Sequence, residues 1–246
     1  MTQRNIKVTI SYDGLNYSGW QYQPTKRTIQ GEIQQALGRL TRHLIKVNGA
    51  SRTDAGVSAL GQTANFIINS PIPTENFLKA LNDRLPRDIV ITEAVEVDRD
   101  FDASSSAKSK LYRYSLFTGK KRNVLTTRNC WHRPGKLDVE AMNAAAQILV
   151  GTHDFKSFAA AADKRDSSVR TVTRCDVTQV EKWFYIDIEA DRFLYNMVRN
   201  IVGTLVEIGR GRWKHEKMVE ILDAKDRTTA GPTAPPQGLC LMWIKY

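Results

Sequence analysis

The sequence predicts an α+β fold in two halves, with mainly antiparallel sheets flanking a central basic cleft. Three observations lead there. Residues 1–103 alternate strand-like and helix-like periodicity in the order β-α-β-β-α-β, a ferredoxin-like or RRM-like arrangement. Residues 104–246 mix strands and helices again, with longer connections, so the chain reads as an N-terminal and a C-terminal α/β domain. Basic residues outnumber acidic ones: 36 Lys and Arg against 26 Asp and Glu give a net charge of +10 over 246 residues. They recur along the chain, at Lys108, Lys110, Arg113, Lys120 to Arg122, Lys164, Arg165, Arg170, Arg174, Arg210, Arg212 and Lys214. A distributed pattern of this kind predicts a folded basic surface and a polyanionic partner, nucleic acid before membrane.

The elements follow in order. Ile6 to Tyr12 alternates apolar and polar residues and predicts a half-buried strand. A turn rich in aromatics and amides, Asp13 to Gln23, leads to a helix. Thr28 is its expected N-cap, and Ile29, Ile33, Leu37 and Leu40 form its apolar stripe. Leu44 to Val47 predicts a second strand and Gln62 to Ile68 a third, with a glycine-bearing loop between them. Thr74 is the expected cap of a helix carrying Phe77, Leu78 and Leu81. Ile89 to Val97 supplies a fourth strand. The Ser/Ala-rich stretch Asp102 to Ala107 marks the expected boundary between domains 1–103 and 104–246.

In the second half, Lys110 to Phe117 predicts a strand with Lys110, Tyr112, Tyr114 and Leu116 on one face. Leu137 to Val139 opens a helix that Gly151 would stop. Thr171 to Val180 and Trp183 to Ile188 read as two strands joined at Glu181 and Lys182. Phe193 to Ile208 predicts the longest helix. Its apolar side holds Leu194, Met197, Val198, Ile201, Val202 and Leu205, while Asn196, Arg199 and Gly203 lie together on another side. Gly203 there would let another element approach the backbone. Lys214 to Leu222 predicts a further helix and Leu239 to Tyr246 a closing strand.

Several classes are disfavoured. The three cysteines are odd in number and far apart, which argues against a disulfide framework or zinc site and points to a reducing cytoplasm. The four histidines lack metal-ligand spacing. Met1 to Asn5 carries no apolar signal core, and no apolar run is long enough to span a membrane. There is no Walker loop, dinucleotide-binding fingerprint, His-Cys-Cys zinc pattern or Gly-x-Ser-x-Gly elbow. An enzyme built from this chain would run on carboxylate, phenol and guanidinium.

Asn48 to Gln62 holds the best candidate for such chemistry. Gly49, Gly56 and Gly61 permit tight turns and close approach. In an extended segment Arg52 and Asp54 point to the same side. An ionised Asp beside an Arg can serve as nucleophile, general base or anion partner. It can equally be a surface turn in which Asp54 caps the backbone. Tyr112 beside Lys110 could stack on an unpaired base, or simply pack on a sheet face. Arg199 lies off the apolar stripe of its helix, where a solvated arginine is ordinary.

Together these residues resemble one family. Arg52-Thr53-Asp54-Ala55-Gly56-Val57 closely resembles the Arg-Thr-Asp-Ala-Gly-Val motif of TruA-type tRNA pseudouridine synthases. Tyr12-Asp13-Gly14 with Tyr17-Ser18-Gly19-Trp20-Gln21 is similar to the family's N-terminal motif, and Lys110-Leu111-Tyr112 to its Lys-x-Tyr segment. Gly151 to Phe155, Met197 to Gly203 and Ala234 to Leu239 also match, six motifs in order over nearly the whole chain. Ser51 stands where many members have glycine, and Ser58 where many have histidine.

The resemblance implies an isomerase that converts uridine to pseudouridine at positions 38, 39 and 40 of the tRNA anticodon stem-loop. By this analogy Asp54 is the essential carboxylate, and Tyr112 stacks on the target base. Arg199 pairs with Asp54, Arg52 fills the gap left by the flipped nucleotide, and Lys110 belongs to the substrate-binding set. Attack of Asp54 on ribose, attack on the base and removal of a ribose proton all need one carboxylate in the same place. The resemblance also implies a homodimer, with no metal and no cofactor. Two rivals are a noncatalytic tRNA-binding protein on the same scaffold and a glycosidase that releases free uracil.

Overall fold

The computed structural model describes residues 3–122 and 124–246; Met1 and Thr2, part of the N-terminal reading above, lie outside them. In chain order the elements are β1 (Arg4–Tyr12), α1 (Ile29–Thr41), β2 (Asn48–Gly49), β3 (Ser58–Ile68), α2 (Thr74–Asn82), β4 (Ile89–Val97), β5 (Ser109–Phe117), β6 (Trp131–His132), α3 (Val139–Gln147), β7 (Gly151–Asp154), β8 (Val169–Val180), β9 (Trp183–Ala190), α4 (Met197–Gly209), α5 (Lys217–Ala224) and β10 (Leu239–Lys245). They form a mixed α/β protein whose strand pairs are mostly antiparallel. No helix among the described residues is long and apolar enough to cross a membrane.

Two compact units are present. The first runs to Lys108 and takes back Leu241–Tyr246; the second is Ser109–Cys240. Periodicity alone puts the last residues with the second half. Their place in the first unit comes from pairing of β10 with β3, a long-range contact that no local pattern encodes.

In the first unit the sheet order is β4-β1-β3-β10, and β2 also pairs with β3. Ile6, Val8, Ile10 and Phe66 from the sheet, with Ile29, Ile33 and Leu37 of α1 and Phe77 and Leu81 of α2, make the buried core. Thr28 caps α1 as its residue type predicts: its hydroxyl accepts from the Gly31 N–H at 3.3 Å.

Two expectations need correction in this unit. Leu44 to Val47 is not a strand; the only pairing there is at Asn48–Gly49. Side-chain amides of α1 take the backbone groups a strand would use. Gln30 Nε2 donates to the Val47 carbonyl at 2.7 Å, and the Val47 N–H donates to Gln34 Oε1 at 3.2 Å. Thr74 is the first residue of α2 rather than its cap. The cap position is Pro73, which has no side-chain bond to offer, and the Thr74 hydroxyl accepts from Arg4 instead.

The Ser/Ala-rich stretch is an ordered turn. Asp102 Oδ1 accepts from the N–H groups of Ser104 and Ser105, each at 2.9 Å, and these bonds pull its pKa down. Ala103 is buried, and its N–H donates to Asn65 Oδ1 at 2.9 Å.

In the second unit the sheet order is β5-β9-β8-β7, with β6 parallel to β5. Met142, Ala145 and Ala146 of α3 and the apolar face of α4 supply its core. Asp138 caps α3. The helix ends at Gln147, before Gly151, which at φ +120° opens β7.

Helix α4 starts at Met197, not Phe193, and matches α1 in length at 13 residues. Tertiary contacts use the residues before it. The Phe193 ring meets Tyr112 edge-on at 5.1 Å, the Tyr195 N–H donates to Asp163, and Asn196 sits at φ +61°. Likewise α5 begins at Lys217 rather than Lys214.

Gly203 does what its place on α4 suggested. A Cβ there would lie 1.6 Å from the Pro232 carbonyl oxygen, so the segment before Ala234 runs against the helix backbone. Ala is favoured over Gly in helices by about 1 kcal/mol. Gly203→Ala should nonetheless lower stability by about 1–3 kcal/mol, the usual cost of overpacking. Urea unfolding measures this, and a variant as stable as the parent would contradict the contact.

Candidate active site

The loop carrying Arg52 and Asp54 is narrower than the sequence suggested: β2 and β3 claim its ends and leave residues 50–57. Asp54 to Val57 is a tight turn, closed by the Val57 N–H donating to the Asp54 carbonyl at 3.1 Å. Gly56 has φ +80°, as the third position of such a turn requires.

Thr53 points inward and is 7% exposed, while Arg52 is exposed and Asp54 half-buried. The inward anchor is specific. Thr53 Oγ1 pairs with the Tyr12 hydroxyl at 2.8 Å, and its carbonyl accepts from the Trp20 N–H at 3.0 Å. Gln62 closes the other side, donating to the Ser51 carbonyl at 2.6 Å and accepting from the Ser51 N–H at 3.2 Å.

The Tyr12 to Trp20 motif therefore works as a clamp on this loop, a function not legible in its residue types. Besides the two bonds to Thr53, the Gly56 N–H donates to the Tyr17 carbonyl at 3.3 Å. The Gly14 N–H donates to Ser58 Oγ at 3.1 Å, which gives the serine at that position a structural task. A Cβ on Gly19 would sit 2.5 Å from the Thr53 carbonyl oxygen. Two strands and a turn thus hold one exposed Arg and one half-buried Asp on either side of a buried Thr. Preorganisation of this kind is what a catalytic carboxylate needs.

Tyr112, Lys110 and Arg199 belong to the second unit. Tyr112 is buried on β5 against Phe193. Lys110, one pleat repeat before it, is half-buried. Burial first, then the charges of Arg192 and Arg165, push its pKa down to about 8, with Asp191 opposing them. Arg199 is half-buried on α4. Its Nε donates to the Ala234 carbonyl at 2.8 Å and its Nη1 to Asn196 Oδ1 at 3.0 Å, so it is held rather than loosely solvated.

The C-terminal motif completes this arrangement. The Ala234 N–H donates back to the Arg199 carbonyl at 3.1 Å, and the Tyr114 hydroxyl donates to the Pro235 carbonyl at 2.8 Å. Burial drives the Tyr114 pKa up, so this phenol stays protonated. Among the described residues no three His, Cys, Asp or Glu side chains come together as a metal site.

The lowered Lys110 pKa has a consequence for anion binding. Only the charged form would attract an anion, so a polyanion that meets Lys110 should be held less tightly as pH rises through about 8. Between roughly pH 7 and pH 9 the loss should be about three- to tenfold, because one proton is linked to binding. Binding titrations of the parent and Lys110→Gln measure this. An equally steep fall in the variant would assign it to another group.

Comparison with known proteins places these features. The sequence profile of a family described as tRNA pseudouridine synthase matches residues 8–104 and 145–246. The tRNA pseudouridine synthase A of Thermoanaerobacter sp. (strain X514) is 47% identical over 244 residues, covering 99% of this chain and all of that protein. That of Acetivibrio thermocellus is 46% identical over 243 residues, covering 99% of this chain and all of that protein. That of Moorella thermoacetica is 48% identical over 243 residues, covering 98% and 99%. Among solved structures, a Cbf5-Nop10-Gar1 complex matches at a TM-score of 0.34 and 12% identity, over 96% of this chain and 57% of that chain; so low a score supports no argument about the fold. The sequence matches make the chain an RNA-modifying enzyme. It belongs to the tRNA pseudouridine synthase family, whose members isomerise uridine to pseudouridine.

Proposed function

We propose that this enzyme acts on uridines 38, 39 and 40 of the tRNA anticodon stem-loop, with Asp54 as the catalytic carboxylate. The reaction breaks the glycosidic C1′–N1 bond, turns the uracil while it is bound, and joins C5 to C1′. The C5 proton is lost and N1 regains one, so no atom is gained or lost overall. Asp54 supplies the single carboxylate that this sequence of steps requires. Tyr112 stacks on the uracil and assists removal of the C5 proton. Arg199 is the proposed partner that keeps Asp54 ionised, since an opposite charge favours the carboxylate.

Arg52 enters the stack vacated by the flipped nucleotide, offsetting an extrusion cost of a few kcal/mol. Lys110 and the wider basic surface of a +10 chain bind phosphates. A homodimer whose subunits jointly grip one tRNA, working in the cytoplasm, completes the reading. The Asp54 loop belongs to the unit that ends at Lys108 and regains Leu241–Tyr246, and Tyr112 and Arg199 belong to the Ser109–Cys240 unit.

One observation carries the proposal: Thr53 is locked inward by Tyr12 and Trp20, between the exposed Arg52 and the half-buried Asp54. A surface turn with no chemistry needs no such clamp. Substitution of Asp54, followed by separate assays of pseudouridine formation and tRNA binding, tests the reading.

A further inference from the structure

A second group of charges in the Ser109–Cys240 unit was not legible as a site in the sequence. Lys110 on β5 faces Ala190 on β9, which in turn faces Val172 on β8. Directly opposed residues share a sheet face, and so do residues two apart on one strand. Lys110, Tyr112, Val172 and Arg170 therefore line the same face.

Arg170 is 8% exposed, and its Nε is a buried donor without a hydrogen-bond partner. Its Nη1 donates to the Val169 carbonyl. Arg165 and Arg192, both exposed, lie close enough for their charges to act on Lys110 and Arg170 alike.

Two carboxylates share the neighbourhood, and both already have partners. Asp191 accepts from the N–H groups of Thr171 and Arg192, at 3.0 and 2.8 Å. Asp163 accepts from the N–H groups of Tyr195 and Arg165, at 2.6 and 3.1 Å, and pairs with the Arg165 side chain. Four cationic side chains thus face two engaged carboxylates. Burying an arginine nitrogen with nothing to donate to is costly. An arriving anion would remove that cost and the repulsion among the cations together.

We propose that Lys110, Arg165, Arg170 and Arg192 form a receptor for one backbone phosphate of the RNA strand that carries the target uridine, with Arg170 Nε as its buried donor. The proposal rests on the tRNA reading above. It names the contact that sets the strand's register beside Tyr112, which lies one pleat repeat, about 6–7 Å, from Lys110. Phosphate contacts fix register without reading sequence, so Arg170 is a positioning residue.

The test replaces single phosphates of an anticodon stem-loop RNA by neutral methylphosphonates, one position at a time. Affinity is measured for the parent protein, Arg170→Gln and Arg192→Gln. The receptor predicts one position where the replacement costs the parent about tenfold, the scale of one charge-assisted contact. Each variant should lose about the same on unmodified RNA and nothing further at that position. Penalties that add at every position, or no sensitive position at all, would overturn the proposal. Arg192 is exposed, so Arg192→Gln carries the test alone if Arg170→Gln fails to fold. Pseudouridine formation by the parent is scored in parallel. Its absence would count against the isomerase reading and leave the phosphate coupling to be judged on its own.

Discussion

Asp54→Asn should reduce pseudouridine formation at least about a thousandfold, within the range that a single acid–base or nucleophilic group supplies. Its tRNA affinity should stay within about threefold of the parent, because binding is spread over many phosphates. The structural reason for expecting so clean a separation is the clamp. Thr53, Gly56 and Ser58 hold the loop through their backbone and hydroxyl groups. The isosteric amide therefore leaves the loop in place while removing the charge. Substantial turnover by the purified variant would take Asp54 out of the catalytic role. A parallel collapse of affinity would mean that the carboxylate also organises binding.

The second large effect separates the two arginines. Arg52→Ala should lower the single-turnover rate about 10- to 100-fold when the target uridine is paired in the stem, the equivalent of about 1.4–2.7 kcal/mol of lost support for the vacated stack. On a stem with a mismatch at the target the loss should largely vanish, since an unpaired base has already given up much of what flipping must break. Arg199→Ala should behave differently. It should impair chemistry more than binding, and by similar factors on both substrates, because its proposed partner is Asp54 rather than the stack. Equal losses for Arg52→Ala on matched and mismatched stems would rule out the prop and point to plain phosphate binding.

Much of the fold was legible because local patterns agreed with the tertiary outcome. The Thr28 cap, the apolar stripe of α1 and the Gly203 approach all follow from residue type and spacing. Two of the misses share a physical cause, tertiary contacts taking over local preference. Leu44 to Val47 has strand-forming residues, but amides of Gln30 and Gln34 occupy the Val47 backbone. Phe193 to Asn196 continues a helical stripe, yet its groups are held by Tyr112 and Asp163.

The site was legible in a similarly uneven way. Arg52-Thr53-Asp54 stood out because glycines, a cation and a carboxylate fall within one short loop. That the Tyr12 to Trp20 turn holds this loop could not be read, since, apart from the Tyr12 hydroxyl, its bonds leave from backbone groups common to every residue. Arg170 looked like one basic residue among many. Only the register of β8 against β9, and of β9 against β5, sets it on the face of Lys110 and Tyr112.

The most direct test of the central claim is to incubate the purified protein with an unmodified tRNA transcript and analyse the nucleosides by position. The account predicts pseudouridine at positions 38, 39 or 40, no free uracil, and neither product from Asp54→Asn. Tight tRNA binding with no base change would mark a noncatalytic binder, and free uracil would mark a glycosidase. Either result would contradict the assignment of Asp54 to isomerisation.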